Sequence, residues 1–196
     1  MSGRFLPEQG RSRRLSYDGE VTVDRSPEIV AARSVGAAFR AAFPTAGAVP
    51  VAVEDIAESL FSLRVIDDEH IVESGTLDPS LGVVRVNAAE CSLAPLRRRF
   101  TIAHEIGHLV LHAPGATGAV FCRVVDPAEP AARPIEREAN RFAAELLMPE
   151  DLVREAAAHL GTDAAALADR FQVSGPAMGW RLFNLGLTTA RPDQSA

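Results

Sequence analysis

The chain has 196 residues, of which 47% are hydrophobic, enough to bury one good core with a small appended subdomain. Its net charge of −6 argues against nucleic acid as the main partner. No secretion signal and no run of about 20 apolar residues is visible in the sequence, so we expect a cytoplasmic protein without membrane contact. Cys91 and Cys122 stand in no metal-binding or redox spacing, as expected of reduced thiols in such a compartment.

The pattern along the chain predicts three segments. Residues 1–26 lack hydrophobic periodicity and predict a flexible arm. Residues 27–150 are expected to form the main domain, and 151–190 a C-terminal, helix-turn-helix-like helical subdomain. Hydrophobic spacing and breakers predict helices at 27–43, 53–63, 95–112, 136–148, 150–160, 163–171 and 175–184, and strands at 63–66, 74–77 and 83–87.

The string HEIGH at 104–108 is the most informative feature of the sequence. His104 and His108 are four residues apart on a predicted helix, so they share a face about 6 Å apart along the axis and can bind one zinc ion. Glu105 is placed to touch a metal-bound water rather than the metal. His112 is about 12 Å from His104 along the axis, too far to share the ion. We therefore interpret His112 as a capping or packing residue.

A catalytic zinc usually has three protein ligands, and the predicted helix at 136–148 is the obvious source of the third. Glu136 and Asn140 share a face of it, so one can bind the metal while the other holds a ligand imidazole in place. Glu138 points about 200° away from Glu136 and is expected in solvent, as is Glu145. The segment 113–134 is a long connection between the two helices and predicts a mobile rim of the site.

The segment 83–87 has strand propensity and precedes the HEIGH helix. If it is an edge strand, Val84, Val86 and Asn87 would bind an extended peptide substrate by strand addition. The alternative is a purely structural strand.

Two stretches resemble the ImmA/IrrE family of zinc metallopeptidases: RRFTIAHEIGHLVLH at 98–112 and IEREANRFAAELLMP at 135–149. The resemblance extends over roughly residues 27–187. It implies zinc held by His104, His108 and Glu136, with Glu105 as the catalytic carboxylate. It also implies an α+β, zincin-like minimal metallopeptidase core, in which a small antiparallel or mixed sheet packs on the HEIGH helix.

We therefore expect a zinc-dependent endopeptidase, and the family suggests an Xre-type helix-turn-helix repressor as its protein substrate. One alternative is a zinc-binding sensor without turnover. Another is a DNA-binding or interaction regulator, with a link to a toxin–antitoxin pair as one form of it, because the last two predicted helices resemble a helix-turn-helix. Direct DNA binding is not favoured, since the second of these helices offers Arg181 and little else to contact bases.

Overall fold

The computed structural model describes residues 24–113 and 133–192. Within them the chain forms eight helices and three strands, an α+β architecture as the sequence predicts. The elements in chain order are α1 (Pro27–Ala42), α2 (Val53–Phe61), β1 (Arg64–Asp68), β2 (Gly75–Asp78), β3 (Val83–Asn87), α3 (Ala88–Leu93), α4 (Pro95–His112), α5 (Arg133–Leu147), α6 (Glu150–Leu160), α7 (Ala164–Phe171) and α8 (Gly175–Asn184).

The element boundaries have local chemical causes. Proline occupies the first turn of α1, α4 and α8, where its missing N–H costs nothing. Asp163 and Ser174 accept hydrogen bonds from backbone N–H groups at the starts of α7 and α8. Helix α3 was not predicted from the sequence; the side chain of Asn87 caps it by accepting a hydrogen bond from the N–H of Glu90.

The three strands form a mixed sheet in the order β1–β3–β2, with β1 parallel and β2 antiparallel to β3. Because β3 is paired on both sides, the interpretation of residues 83–87 as a substrate-binding edge strand is wrong, and the alternative of a structural strand is the one observed. Val84 and Val86 are fully buried in the core, and Asn87 caps α3 and donates to the carbonyl of Ile71. These three residues therefore build the sheet and its junction with α3.

Helix α4 lies at the centre of the molecule, in contact with α5 and with strands β2 and β3. Ile102 and Ile106 are fully buried on it, and Phe142 and Ala143 of α5 are equally buried against it. An apolar stripe of this width stabilises a helix through tertiary packing rather than intrinsic propensity. The packing holds α4 and α5 in fixed relative positions.

The C-terminal helices share this hydrophobic cluster through residues such as Leu167, Phe171 and Leu182. Arg181 of α8 is buried, pairs with Glu145 of α5 and donates through Nε to the carbonyl oxygen of Met148 at 2.9 Å. The expectation that Glu145 is solvated is wrong, because its side chain is 2% exposed. The boundary between a main domain and a C-terminal subdomain, at residues 150 and 151, stays a prediction.

Parts of the predicted arm and connection fall outside the described residues, namely 1–23 and 114–132. At the described end of the arm, Asp24 and Ser26 accept hydrogen bonds from Nη2 of Arg141 at 2.7 and 3.0 Å. Cys91 is a free thiol, while Cys122 lies outside the described part of the chain. Among the described helices, none is both long and apolar enough to cross a membrane.

Candidate metal centre

Three potential ligands converge where α4 meets α5. The Nε2 atoms of His104 and His108 are 2.9 Å apart. Oε2 of Glu136 lies 3.2 Å from Nε2 of His104, and its Oε1 lies 3.4 Å from Nε2 of His108. The structure thus brings together the two histidines of the HEIGH string and one of the two α5 residues that the sequence offered as the third ligand.

The spacing of these atoms suits a metal ion. Tetrahedral ligands at about 2.0–2.1 Å from zinc stand about 3.3 Å from one another. The three observed separations, 2.9, 3.2 and 3.4 Å, scatter around that value. Two imidazole nitrogens and one carboxylate oxygen form the donor set of open catalytic sites, whereas closed structural sites are usually rich in cysteine. The residues present therefore fit a zinc-like ion with an open coordination position.

Hydrogen bonds on the far sides of the imidazoles support this assignment. Nδ1 of His104 lies 3.1 Å from Oδ1 of Asn140, which can only accept, so the proton of a neutral His104 belongs on Nδ1. Its Nε2 lone pair then faces the site. This contact is the one expected of Asn140. Nδ1 of His108 faces His112 instead, at 3.1 Å.

Burial and charge set the protonation of the ligands. Burial, helped by the neighbouring His104, lowers the pKa of His108 to about 4. Burial also acts to lower the pKa of His104, but the hydrogen bond with Glu136 and the Glu105 charge outweigh it and raise that pKa. The His104 hydrogen bond in turn holds the pKa of Glu136 below its usual value. At neutral pH the site therefore contains an uncharged His108 and an ionised Glu136.

The glycine of the HEIGH string explains how closely the two helices approach. A Cβ atom at Gly107 would lie 3.1 Å from Cδ1 of Phe142 and 3.3 Å from Cα of Ala139. Real Cβ contacts are rarely so short, so a larger residue would push α5 away from α4. Because Glu136 is on α5, the distance between these helices also sets its distance from the two histidines.

Glu105 lies beside the ligands and is 3% exposed. Strand β2 approaches it closely: a Cβ atom on Gly75 would lie 3.1 Å from Oε1 of Glu105 and would collide with Cγ2 of Thr101. Gly75 and Thr101 were not among the predicted site residues. A glycine inside a predicted strand was the available signal, since it often marks close backbone approach.

A cleft of about 250 Å³ opens over these groups. Besides the ligands, Glu105 and Asn140, it is lined by Ser74, Gly75, Arg97, Phe100 and Thr101. Val84, Val86 and Asn87 are not among the lining residues. The strand that borders the cleft is β2, at one edge of the sheet, and not the predicted β3.

A comparison with known protein families matches the part of the chain that contains this site. The family model described as the IrrE N-terminal-like domain matches residues 63–183, more than half of the chain and the whole of the site. The chain belongs to this family. The resemblance drawn from the HEIGH string and the α5 segment is thereby confirmed.

Two relatives show how far the similarity extends. The chain is 35% identical over 95 residues to the radiation response metalloprotease IrrE of Deinococcus radiodurans. That alignment covers 48% of this chain but only 28% of the Deinococcus protein. A solved structure described as a Mycobacterium tuberculosis transcriptional regulator matches with a TM-score of 0.57 at 23% identity, over 85% of this chain and 49% of that one. The second likeness shows that the IrrE-like chain shares its fold with that protein.

Proposed function

We propose that this IrrE-like chain is a zinc-dependent endopeptidase. The observation that carries the proposal is the convergence of His104, His108 and Glu136 beside the buried carboxylate of Glu105. Zinc bound there would polarise a peptide carbonyl and lower the pKa of a bound water toward about 7. Among the described residues no cysteine belongs to the cluster, and a His₂Glu set leaves a position open for water or substrate.

In this mechanism Glu105 is the general base and then the general acid. Its carboxylate would accept a proton from the attacking water and deliver it to the nitrogen of the leaving amine. Asn140 would hold His104 with its Nε2 lone pair toward the metal, through the 3.1 Å contact at Nδ1. Gly75 would keep the β2 backbone near enough to shield Glu105 from bulk water.

The substrate would lie along β2. This strand uses one edge to pair with β3, and no described strand pairs with its other edge. An extended peptide added there would bind through backbone hydrogen bonds, which tolerate varied sequences. Gly75, at the end of β2 nearest the cleft, would place the peptide above Glu105.

We assign the substrate to the class of helix-turn-helix repressors of the Xre type, encountered in the cytoplasm. The support is the family membership, together with one relative named for a radiation response and one structural neighbour named as a transcriptional regulator. Cleavage of such a repressor would switch on the genes it controls. A zinc-binding sensor without turnover is the competing function that the experiment below tests.

Direct reading of DNA receives no support from α7 and α8. In a helix-turn-helix the second helix exposes polar or basic side chains to the bases. Arg181, the basic residue that the sequence offered for this role, is buried against Glu145 and Met148. Met178 and Leu182 of the same helix are also buried.

The test compares new protein N-termini in host cells that express the wild-type chain or the Glu105→Gln variant. We expect a fragment of a helix-turn-helix regulator that arises only with the wild type. Glu155→Gln, on an exposed position of α6, is the matched control and should behave as the wild type. If several stresses yield no such fragment while both proteins bind zinc, the peptidase proposal fails and a sensor becomes the better explanation.

A further inference from the structure

A chain of hydrogen bonds leads from His108 to the surface. Nδ1 of His108 lies 3.1 Å from Nδ1 of His112, and Nε2 of His112 lies 3.0 Å from Oε2 of Glu138. The three side chains are 5%, 16% and 48% exposed in that order. The chain therefore begins at the buried wall of the metal site and ends in solvent. Glu138 is exposed as predicted, but its carboxylate has a specific partner.

The acceptor at the outer end determines where the protons are. An ionised carboxylate can only accept, so Nε2 of His112 donates to Glu138. In a neutral imidazole the other nitrogen is then an acceptor. Nδ1 of His112 therefore accepts a hydrogen bond from the Nδ1–H group of His108. His108 is left with a lone pair on Nε2, the atom that faces His104 and Glu136.

We propose that His112 and Glu138 are positioning residues that hold His108 in the tautomer and ring orientation required to bind the metal. The inference rests on the proposed metal site. It assigns a role to His112, whose distance from His104 excludes it as a ligand of the same ion. His104 receives equivalent support directly from Asn140, so α5 would supply one ligand, the outer partner of His104 and the carboxylate that orients His112.

The loss of His112 and the loss of Glu138 should weaken metal binding to different extents. Partners of this kind typically change metal affinity about 10- to 100-fold. His112 contacts His108 directly and is largely shielded from solvent, so its loss should fall in that range. Glu138 is about half exposed and acts one step further away, so screening should reduce its effect below about tenfold.

The first measurement is the zinc affinity of the full chain, by competition with a chromogenic chelator. His112→Leu, which removes the acceptor, should weaken zinc binding about 10- to 100-fold. His159→Leu, on an exposed position of α6, is the matched control and should leave the affinity unchanged. A folded His112→Leu protein with wild-type affinity would overturn the proposal.

A double-mutant cycle separates the hydrogen-bond chain from a general charge effect. Glu138→Gln should weaken zinc binding in the wild-type background and have no effect in the His112→Leu background, because Glu138 acts only through His112. If Glu138 instead attracted the ion by its charge, the substitution would weaken binding equally in both backgrounds, and the proposal would be wrong. Glu155→Gln controls for loss of one negative charge.

The tautomer itself can be observed without any variant. Long-range ¹H–¹⁵N spectra of the zinc-loaded wild type should show the proton of His108 on Nδ1, with Nε2 bound to the metal. Zinc bound through Nδ1 of His108, with the proton on Nε2, would refute the assignment. His112→Asn offers a milder substitution if His112→Leu fails to fold: its side-chain oxygen keeps an acceptor near His108, so the affinity should stay within about tenfold of the wild type.

These outcomes also distinguish this inference from the proposed function. A wild-type chain that does not bind zinc would overturn both. Tight zinc binding by the wild type and by every variant would overturn the positioning role alone, leaving the proposed peptidase activity untouched.

Discussion

At the scale of single residues, the site depends on where each carboxylate stands relative to the two histidines. Glu136, the proposed ligand, lies within 3.4 Å of both Nε2 atoms, while Glu105 is adjacent in sequence to His104 and lies under the cleft. Two glutamates in one small site can thus have different functions. The most direct test of the mechanism is to substitute each glutamate separately and compare zinc binding with cleavage.

We expect Glu105→Gln to bind zinc as the wild type does but to lose about 100- to 10,000-fold in cleavage rate, the usual contribution of a general base. Glu136→Ala should instead weaken zinc binding by more than about 100-fold, beyond the range of residues that only orient a ligand. Chelator competition and cleavage assays on both variants make the comparison. Loss of zinc by Glu105→Gln would contradict these roles.

At the scale of elements, the contacts of α4 with α5 and with β2 each depend on a glycine. Gly107 lets α5 approach from one side, and Gly75 lets β2 approach from the other. Neither glycine has a positive φ, so close packing rather than backbone conformation requires it. Substitutions at both positions test whether the site depends on these approaches.

Gly107→Ala should destabilise the protein by about 1–3 kcal/mol, because the new methyl group overpacks the α4–α5 contact. It should also weaken zinc binding by moving Glu136 outward. Gly36→Ala in α1 is the matched control, since its Cβ would meet the flexible end of Arg40 at 3.3 Å. In Gly36→Ala the gain in helix propensity, about 1 kcal/mol, should outweigh this contact and leave the protein at least as stable as the wild type. Urea unfolding measures the stability of both variants. Equal changes in the free energy of unfolding would contradict the packing argument.

Gly75→Ala should reduce cleavage at least tenfold while changing zinc affinity little, because the methyl group displaces Thr101 and the carboxylate of Glu105. Thr101→Ser removes the Cγ2 atom that the new methyl group would strike. The double variant should therefore regain part of the activity. Full activity in Gly75→Ala alone would show that β2 is not held against the site.

At the scale of the whole molecule, a partly buried ionic network joins the C-terminal helices to the rest of the protein. Glu145 of α5 pairs with Arg181 of α8 and, at 2.7 Å, with Arg33 of α1. Arg33 also reaches Glu150 at 2.8 Å, and Arg154 donates to Glu150 and to the carbonyl oxygen of Leu185. Charges in such surroundings are tolerated only when they are paired.

Arg181→Leu should destabilise the protein by about 1.5–3 kcal/mol, because it removes the closest partner of the buried Glu145 and leaves Arg33 as the remaining one. The exposed pair of Arg97 with Glu90, at 3.2 Å, provides the comparison. Arg97→Leu should cost about 1 kcal/mol or less, since solvent screens that pair. The free energy of unfolding in urea measures both; similar losses would mean that burial of the Glu145 network has little effect.

The sequence by itself determined most of the elements and placed His104 and His108 on one face of a helix. Local signals suffice for these: hydrophobic period, breakers such as Pro95 and Pro149, and the i, i+4 spacing of His104 and His108 on one helix. The α+β class and the family also followed. The short helix α3 was not predicted, because six residues carry too little hydrophobic periodicity to be recognised as a helix.

Only the tertiary structure decided strand order, the partner of each charged side chain and the close approaches. Local sequence contains little information on which strand is central, so whether β3 is an edge strand stayed open until the structure placed β2 at the edge beside the cleft. Likewise, Glu145 is a typical surface residue until α8 packs Arg181 against it, and His112 has no evident link to the site until it contacts His108 and α5 brings Glu138 beside it. These properties arise from contacts between residues distant in sequence, which exist only when the core has formed.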